Sequence, residues 1–296
     1  RISGSRGMKP FDFALFGLVI LGWSTSWLPL KWQVGTVAPE VSLAWRFVLA
    51  GGLMFLLGWV TKRRLKLPLW GHLTAMAMGV FIFSTNFALF YYASQSLVSG
   101  LLAVVFASAS LVNLFYGAIV FRTRITVLGL LASVLGFGGI LLLYWPEIAG
   151  STAAIGALGL CLAGTFCFCT GNMISSAAQS RDLPVIGTTA WGMMYGAAFM
   201  LLVSLVRGHE LTIELTWRYI GGGLWLAVFS SVIAFSAYLT LLGRIGTSRA
   251  AYATVIFPPF ALLISTFVEG YQWTWFAAVG LSMVLGGIII INLSRA

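Results

Sequence analysis

The chain has 296 residues, of which 60% are hydrophobic and 8% are charged, and its mean hydropathy is +0.99. A water-soluble domain cannot bury that much apolar side chain, so the composition excludes a soluble globular protein. The net charge of +10 would favour nucleic acid binding in a soluble protein, but these basic residues lie between apolar runs and set membrane orientation. We therefore expect a lipid bilayer as a partner and no nucleic acid.

The apolar runs along the chain predict the membrane-spanning elements. Residues 1–10 are interpreted as a tag remnant (RISGSRG) followed by a cytoplasmic start at Met8. The run that follows is too long for the core of a cleaved signal peptide. About 20 apolar residues cross a bilayer, and ten runs of that kind occur, with only short connections: 11–33, 38–60, 70–93, 97–120, 126–145, 154–176, 184–206, 218–242, 247–268 and 272–292.

The distribution of lysine and arginine predicts the orientation, because basic residues collect on the cytoplasmic side. Alternate connections place thirteen basic residues on the side of both termini and three, Lys31, Arg207 and Arg218, on the other. Both termini are therefore expected in the cytoplasm. The thirteen are Arg1, Arg6, Lys9, Lys62, Arg63, Arg64, Lys66, Arg122, Arg124, Arg181, Arg244, Arg249 and Arg295.

Ten spans with both ends on one side divide into two halves of five, and the second half enters the membrane upside down. This is the inverted-repeat plan of many secondary transporters, whose substrate sites lie between the repeats. We predict an all-α integral membrane fold in which repeats 11–146 and 154–293, joined by linker 147–153, surround a central cavity. Residues 294–296 are a tail.

A weak internal repeat supports the two halves. Residues 88–143 and 236–291 share a span, a small-residue turn (Ser99-Gly100 against Thr247-Ser248), a second span and a glycine-spaced third span. The glycines in the third spans are seven residues apart, at Gly129 and Gly136 and at Gly280 and Gly287. Seven residues make two helical turns, so each pair should lie on one face and allow close helix contact.

Polar and aromatic side chains at membrane depth are the candidates for a substrate cavity, because unpaired polar groups are costly in hydrocarbon. The two tryptophans of the first span are four residues apart and should share one helix face, which suits a flat aromatic substrate, and the Trp–Tyr pair of the seventh span repeats that spacing. Helix packing, and hydrogen bonding between helices for the asparagines, are the alternatives. The candidates are Trp23, Ser24, Trp27, Arg46, Asn86, Asn113, Asn172, Trp191, Tyr195 and Ser231.

Charged residues within the spans are few. Arg46 lies too deep in the second span to reach the surface easily, and it either binds a substrate carboxylate or pairs with helix-end carbonyls or with Glu40. Lys31 is interpreted as a rim residue, and Glu269 as a helix or loop contact. The sequence places no acidic residue near the bilayer centre, which favours a facilitator or exchanger without a fixed proton site.

Other chemistry is not indicated. The three cysteines, Cys161, Cys167 and Cys169, fall in one apolar run and fit neither a disulfide framework nor a metal site. No phosphate-binding GxxxxGK[ST] loop occurs, so ATP does not drive the chain directly. We expect no metal, no cofactor and no enzymatic activity, and a monomer. Pro258-Pro259 in the ninth span should bend that helix, as a gate hinge or as a packing kink.

The chain resembles the ten-helix EamA branch of the drug/metabolite transporter superfamily over nearly all its length. The resemblance rests on the motifs WSTSW at 23–27, APEVSLAWRF in the second span, and FPPF at 257–260 followed by Glu269 and Gly280. In the first half, Ser110 stands where the second has Pro258, and Phe121-Arg122 where the family has a glutamate.

The size, aromatic content and charge look most like aromatic amino acid exporters of the YddG type. That resemblance implies a basket of helices around a large cavity, with the fifth and tenth helices outside it, and the export of amino acids and related metabolites across a bacterial inner membrane. We expect alternating access by uniport. Proton-coupled multidrug or other metabolite efflux is the alternative, although a cation exporter should carry a central glutamate, which this chain lacks.

Overall fold

The computed structural model describes residues 9–120, 122, 124–245 and 253–293, and every regular element in those ranges is helical. Eight helical segments of the described chain are long and apolar enough to cross a bilayer, and two further apolar helices, Val255–Val268 and Trp275–Ile290, are shorter. The eight are Pro10–Trp32, Pro39–Val60, Leu69–Ala93, Ser99–Tyr116, Val127–Gly150, Thr152–Gln179, Val185–Val206 and Trp217–Tyr238.

This arrangement confirms an all-helical architecture in the described residues, with eight candidate membrane spans. The count of ten spans, the inverted repeat and the cytoplasmic termini stay predictions. The predicted turn at Thr247-Ser248, the basic residue Arg249, the first eight residues and the tail 294–296 lie outside the described residues.

The helices are numbered in chain order, with π-helical segments continuing α4 into α5 and α11 into α12. They are α1 Pro10–Ser24, α2 Trp27–Trp32, α3 Pro39–Val60, α4 Leu69–Val80, a π segment Phe81–Asn86, α5 Phe87–Ala93, α6 Ser99–Ala107, α7 Ala109–Val120, α8 Val127–Gly150, α9 Thr152–Gln179, α10 Val185–Val206, α11 Trp217–Leu224, a π segment Trp225–Ala234, α12 Phe235–Ile245, α13 Ala253–Val268 and α14 Trp275–Leu293.

The predicted first span is interrupted between α1 and α2. The hydroxyl of Ser24 donates to the Ile20 carbonyl (2.6 Å), and the hydroxyls of Thr25 and Ser26 also donate to carbonyls three or four residues earlier. Such bonds offer the backbone an alternative to the helical ladder. Pro29 then removes the N–H that would have bonded to Thr25. The helix therefore stops at Ser24 and restarts at Trp27.

The join between the two predicted halves is shorter than the sequence indicated. Helix α8 continues through Pro146 to Gly150, and α9 begins at Thr152, so only Ser151 lies between the helices. The Ser151 hydroxyl accepts a hydrogen bond from the Ala153 N–H (3.2 Å) and caps α9. The predicted linker 147–153 is thus largely helical.

Helices α8 and α14 pack together through glycines. A methyl group at Gly280 would lie 2.6 Å from the Gly139 carbonyl, and one at Gly287 would lie 2.6 Å from the Ala132 carbonyl and 2.9 Å from the Gly136 nitrogen. The predicted close face of α14 is therefore correct. On α8 the contact uses Gly136 and Gly139, and Gly129 instead faces Leu114.

The remaining helices pack around a central cavity. Helix α10 packs against α3 and α4, helix α1 packs against α12 and α13, and α9 packs against the first π segment and α5. The cavity lining includes no residue of α8 or α14. That pair stands apart from the cavity, as the family resemblance implied for the fifth and tenth helices.

Candidate functional site

The cavity has a volume of about 660 Å³, which is within the usual range for small-molecule sites. Its wall is mostly aromatic and apolar, with a few polar side chains. The aromatic lining residues are Trp23, Trp27, Phe47, Phe83, Phe87, Phe90, Phe106, Phe168, Phe235, Tyr238 and Phe257. A wall of this kind favours a flat, apolar body in the ligand.

Phe106 is the centre of the aromatic network. Its ring centroid lies 5.5 Å from that of Trp27, 5.7 Å from Phe90, 4.7 Å from Phe168 and 6.5 Å from Phe257. These separations fall in the range of favourable tilted and edge-on ring contacts, which fix the ring positions. The cavity wall is therefore built by rings that hold one another in place.

Trp23 and Trp27 both line the cavity, but the break between α1 and α2 separates them. Trp23 packs against Tyr238 (5.0 Å between centroids) and Phe257 (6.1 Å), and Trp27 packs against Phe90 (5.3 Å). The expectation that the two indoles share one continuous helix face was wrong, because the hydroxyl-rich turn intervenes.

Both π segments contribute to the lining, through Ile82 and Phe83 in the first and Leu226, Ser230 and Ser231 in the second. A π turn widens the helix and occurs frequently at functional sites. The sequence gives no direct signal for it, since a π segment has no characteristic composition. These two segments were missed.

Arg46 lies at the cavity wall and is only 4% exposed. Its Nη2 donates to the Ser231 hydroxyl (3.1 Å), and its guanidinium carbon lies 4.4 Å from the Phe87 ring centroid and 5.0 Å from that of Phe47. Its Nε and Nη1 atoms have no hydrogen-bond partner among the described residues. Each cation–π contact stabilises a desolvated guanidinium by roughly 2 kcal/mol, whereas burying an ion costs several kcal/mol. The two ring contacts therefore offset only part of the cost of burying Arg46.

The anticipated structural partner of Arg46 is occupied elsewhere. Glu40 is paired with Arg207, and it accepts a hydrogen bond from the Tyr92 hydroxyl (2.6 Å). The hydrogen bond with Tyr92, and after it the negative charge of Glu40, raise the pKa of Arg207 above its ordinary value. The pairing of Arg46 with Glu40 that the sequence left open is therefore wrong.

The other sequence candidates fall into two groups. Asn113 and Asn172 line the cavity together with Ser231. Ser24 and Asn86 are buried but bond to carbonyls of their own helices, at Ile20 (2.6 Å) and Ile82 (3.3 Å), and are absent from the lining.

Trp191 and Tyr195 also lie outside the cavity lining. Trp191 donates its indole N–H to the Leu65 carbonyl (3.1 Å) and stacks on Tyr195 (5.7 Å between centroids). The Tyr195 hydroxyl lies 3.0 Å from Nδ1 of His72. This cluster joins α10 to α4 and the connection before it, so the four-residue spacing here serves helix packing.

Pro258 and Pro259 lie inside α13, which continues on both sides of them. Pro258 is buried and directly follows Phe257, which lines the cavity. The pair therefore adjoins the cavity wall, while its role as a gate hinge stays a prediction.

The end of the cavity near Trp27 and Leu30 is buried. Beyond it, Nζ of Lys31 lies 2.9 Å from Oε1 of Glu269 and 3.2 Å from the Leu97 carbonyl. The other carboxylate oxygen of Glu269 accepts the backbone N–H of Ser99 (2.9 Å). We call this set, with Ser265, the Glu269 cluster.

The Glu269 cluster also caps α6. The Gly100 N–H donates to the Ser265 hydroxyl (2.7 Å), so two of the first N–H groups of α6 bond to groups supplied by α13 and the residue that follows it. Burial raises the pKa of Glu269, but hydrogen bonds from Ser265, Ser99 and Lys31 outweigh it and hold the pKa below its ordinary value. Glu269 is therefore an ionised tether between α2, α6 and α13.

At the opposite end the lining reaches the surface. Ser175, Ser176 and Gln179, in the last turns of α9, belong to the cavity lining, and Ser176 and Gln179 are exposed. The cavity thus runs from a buried end near the Glu269 cluster to exposed residues near the end of α9.

A family model described as the EamA-like transporter family matches residues 12–145 and again residues 155–293. The chain belongs to the EamA-like transporter family. It is accordingly a multi-pass membrane transporter, and its relatives are transporters as well, not enzymes. The family model matches twice along the chain, once in each of the two predicted halves.

Several curated relatives resemble this EamA-family chain along nearly its whole length. "Protein PagO" of Salmonella typhimurium is 24% identical over 95% of this chain and 92% of its own length. "Uncharacterized inner membrane transporter YedA" of Escherichia coli K12 is 27% identical, covering 98% and 93%. A Salmonella typhimurium protein named "Probable amino-acid metabolite efflux pump" is 24% identical, covering 96% and 95%.

A solved crystal structure superposes on this EamA-family chain with a TM-score of 0.69 at 15% sequence identity, covering 97% of this chain and 98% of the other. At that identity the likeness establishes the fold alone.

Proposed function

We propose that this EamA-family transporter exports amino acids, aromatic and other neutral ones, and related small metabolites across a bacterial inner membrane by alternating access. The observation that carries the proposal is the aromatic cavity of about 660 Å³ with one arginine at its wall. A relative whose name describes an amino-acid metabolite efflux pump lends further support. We include in the proposal ten spans in two inverted repeats, 11–146 and 154–293, with cytoplasmic termini.

The buried and exposed ends of the cavity fit one state of an alternating-access cycle. The Glu269 cluster holds one end closed, and the lining at the end of α9 is exposed. With the termini in the cytoplasm, Arg181 just beyond α9 would also face the cytoplasm, so the cavity would be open inward. Loading from the cytoplasm suits an exporter.

Uniport is the coupling mode that the carboxylates favour. All seven acidic residues of the sequence lie within the described part of the chain, and none of them lines the cavity. A proton-coupled carrier usually needs a carboxylate at membrane depth that exchanges a proton for substrate. The same lack of a lining carboxylate argues against the alternative, a proton-coupled multidrug carrier. In addition, the positive charge of Arg46 would repel a cationic drug.

The test is uptake of labelled phenylalanine or tryptophan into proteoliposomes that contain the pure protein, with and without an imposed pH gradient. Saturable uptake without a gradient is expected, and protein-free liposomes provide the control. Uptake that appears only with a gradient would overturn the uniport part of the proposal. If no amino acid enters under either condition, the substrate assignment fails, although the fold does not.

A further inference from the structure

The charge balance at the cavity wall is uneven. Among the described residues that line the cavity, Arg46 is the one charged side chain. The ion pairs of the described chain place Glu40, Glu269 and Asp12 against other basic residues, and none of the seven carboxylates, all described, pairs with Arg46. The wall therefore presents a positive charge without a protein counter-ion.

The unsatisfied groups at this wall are hydrogen-bond donors. Within the part of the chain that the structure describes, Nε and Nη1 of Arg46 have no hydrogen-bond partner, and neither has the indole Nε1 of Trp27, which lines the same cavity. Arginine and indole nitrogens can donate but cannot accept. A ligand that satisfies them must bring acceptor oxygens, and a guanidinium fork is matched most closely by a carboxylate.

A purely structural role leaves the charge of Arg46 unexplained. The rings of Phe87 and Phe47 attract a cation through their faces but accept no ordinary hydrogen bond from it. The Tyr91 hydroxyl lies close enough to Arg46 for a weak hydrogen bond, but no partner of ordinary hydrogen-bond geometry exists for it in the described chain. A neutral hydroxyl cannot neutralise the guanidinium.

We infer that Arg46 binds the carboxylate of the transported molecule, and that the cavity selects aromatic carboxylates without requiring their α-ammonium group. The inference deepens the proposed function and rests on it for the transport step. The rings accommodate the apolar body of the ligand, and Arg46 with Ser231 takes its charged end. An α-ammonium group would find no carboxylate in the cavity, because all seven lie elsewhere.

The first experiment compares ligands that share one aromatic body. The purified protein in detergent is titrated calorimetrically with phenylalanine, 3-phenylpropanoate, phenylalaninamide and phenethylamine. We expect 3-phenylpropanoate to bind at least as tightly as phenylalanine. The two compounds that lack a carboxylate should bind at least about 30-fold more weakly, which is the lower end of the effect of removing one partner from a buried charge pair. If phenethylamine binds as tightly as 3-phenylpropanoate, or more tightly, the inference is overturned.

The second experiment changes the protein. Arg46→Gln should weaken 3-phenylpropanoate about 30-fold or more and leave phenylalaninamide unchanged, whereas Arg46→Lys should keep part of the discrimination because it keeps the charge. The matched control is Arg218→Gln, an exposed arginine outside the cavity lining, which should leave both affinities unchanged. The unfolding midpoint of each variant without ligand separates lost binding from lost folding.

The outcomes distinguish the inference from the proposed function. Carboxylate-dependent binding with no amino acid uptake by proteoliposomes would sink amino acid export and leave the role of Arg46 standing. Amino acid uptake with equal binding of all four compounds would sink the role of Arg46 and leave the transporter proposal standing. If Arg46→Gln is unfolded, the ligand series on the unaltered protein decides alone.

Discussion

The charged side chains near the Glu269 cluster differ in their pairing from the arginine at the cavity wall. Glu269 lies against Lys31, and Glu40 lies against Arg207, both near one end of the helices. Arg46 has no acidic partner in the ion pairs of the described residues. Pairs near a surface tie segments together, whereas an unpaired charge at membrane depth is costly and usually marks a functional position.

The tether at Glu269 should make stability depend on pH. Because the pKa of Glu269 is held below its ordinary value of 4.5, its stabilising contribution is complete above that value and is lost as the pH falls further, through the lowered pKa. Glu269→Gln should lower the unfolding midpoint at pH 7, and the difference from wild type should narrow below pH 4.5. Thermal unfolding of both purified proteins, from pH 7 to below pH 4.5, measures this difference in unfolding midpoint.

The control for this prediction is Glu210→Gln, which changes an exposed carboxylate that takes part in none of the ion pairs of the described chain. An equal loss of stability in both variants, or a Glu269→Gln difference that does not change with pH, would contradict the tether.

Substitutions in the two aromatic pairs of the sequence, Trp23–Trp27 and Trp191–Tyr195, should have different effects. Trp23→Ala removes part of the cavity wall and should raise KM for an aromatic substrate several-fold. Trp191→Ala removes the bond to Leu65 and the stack on Tyr195, so it should lower the unfolding midpoint and leave KM unchanged. Proteoliposome kinetics and thermal unfolding of both variants separate the two roles. A raised KM in Trp191→Ala alone would reverse the assignment.

For single residues, the sequence indicates which polar side chains line the cavity better than it indicates which phenylalanines do. Arg46, Asn113 and Asn172 could be anticipated because a polar group in a span requires an explanation. The phenylalanine wall could not, because the chain contains 22 phenylalanines and the same residue also faces lipid, as Phe267 does with 85% exposure. Only the three-dimensional arrangement separates the two environments.

The interrupted elements line the cavity, although continuous helices such as α3 and α9 line it as well. The first span breaks at Thr25-Ser26, and two other segments contain π turns, whereas α8 is a continuous helix. Hydropathy predicts that each run is helical, but it cannot report local interruptions, which depend on hydrogen bonds between side chains and backbone. The sequence therefore predicts the existence of the elements and not their internal breaks.

The regular pair α8–α14 provides a matched glycine test. Gly280→Ala would bring a methyl group to 2.6 Å from the Gly139 carbonyl, whereas a methyl group at Gly286 meets nothing within 4 Å. We expect Gly280→Ala to lower the unfolding midpoint and Gly286→Ala to leave it unchanged or to raise it slightly, since alanine is favoured over glycine in helices by roughly 1 kcal/mol. Equal effects of the two substitutions would argue against close packing at Gly280.

For the molecule as a whole, the sequence predicts the class of protein from composition and the family from motifs distributed along the chain. The position of the closed end could not be predicted. Ser99 and Ser265 are 166 residues apart, and nothing in either segment names the other as its partner. Their contact depends on how α6 and α13 pack, which is a property of the complete fold.

This contact allows a direct test of alternating access. The hydroxyl oxygens of Ser99 and Ser265 are 2.9 Å apart. Cysteines at these two positions would therefore be close enough to form a disulfide. In a variant whose native cysteines are replaced, Ser99→Cys with Ser265→Cys should stop transport when oxidised and recover it when reduced. Each single cysteine variant is the control. Full activity of the oxidised form would mean that this end does not open between α6 and α13.

The unpaired arginine has a consequence for energetics across the membrane. Arg46 lies seven residues into α3, about 10 Å along the helix axis, so it lies within the electric field of an energised bilayer. One elementary charge moved through the whole field of 100 mV corresponds to about 2.3 kcal/mol. A cargo that is a net anion, such as 3-phenylpropanoate, cancels that charge, whereas a zwitterionic amino acid does not, so with the anion voltage would act on the empty carrier more than on the loaded one. Transport would then respond to membrane voltage through its return step.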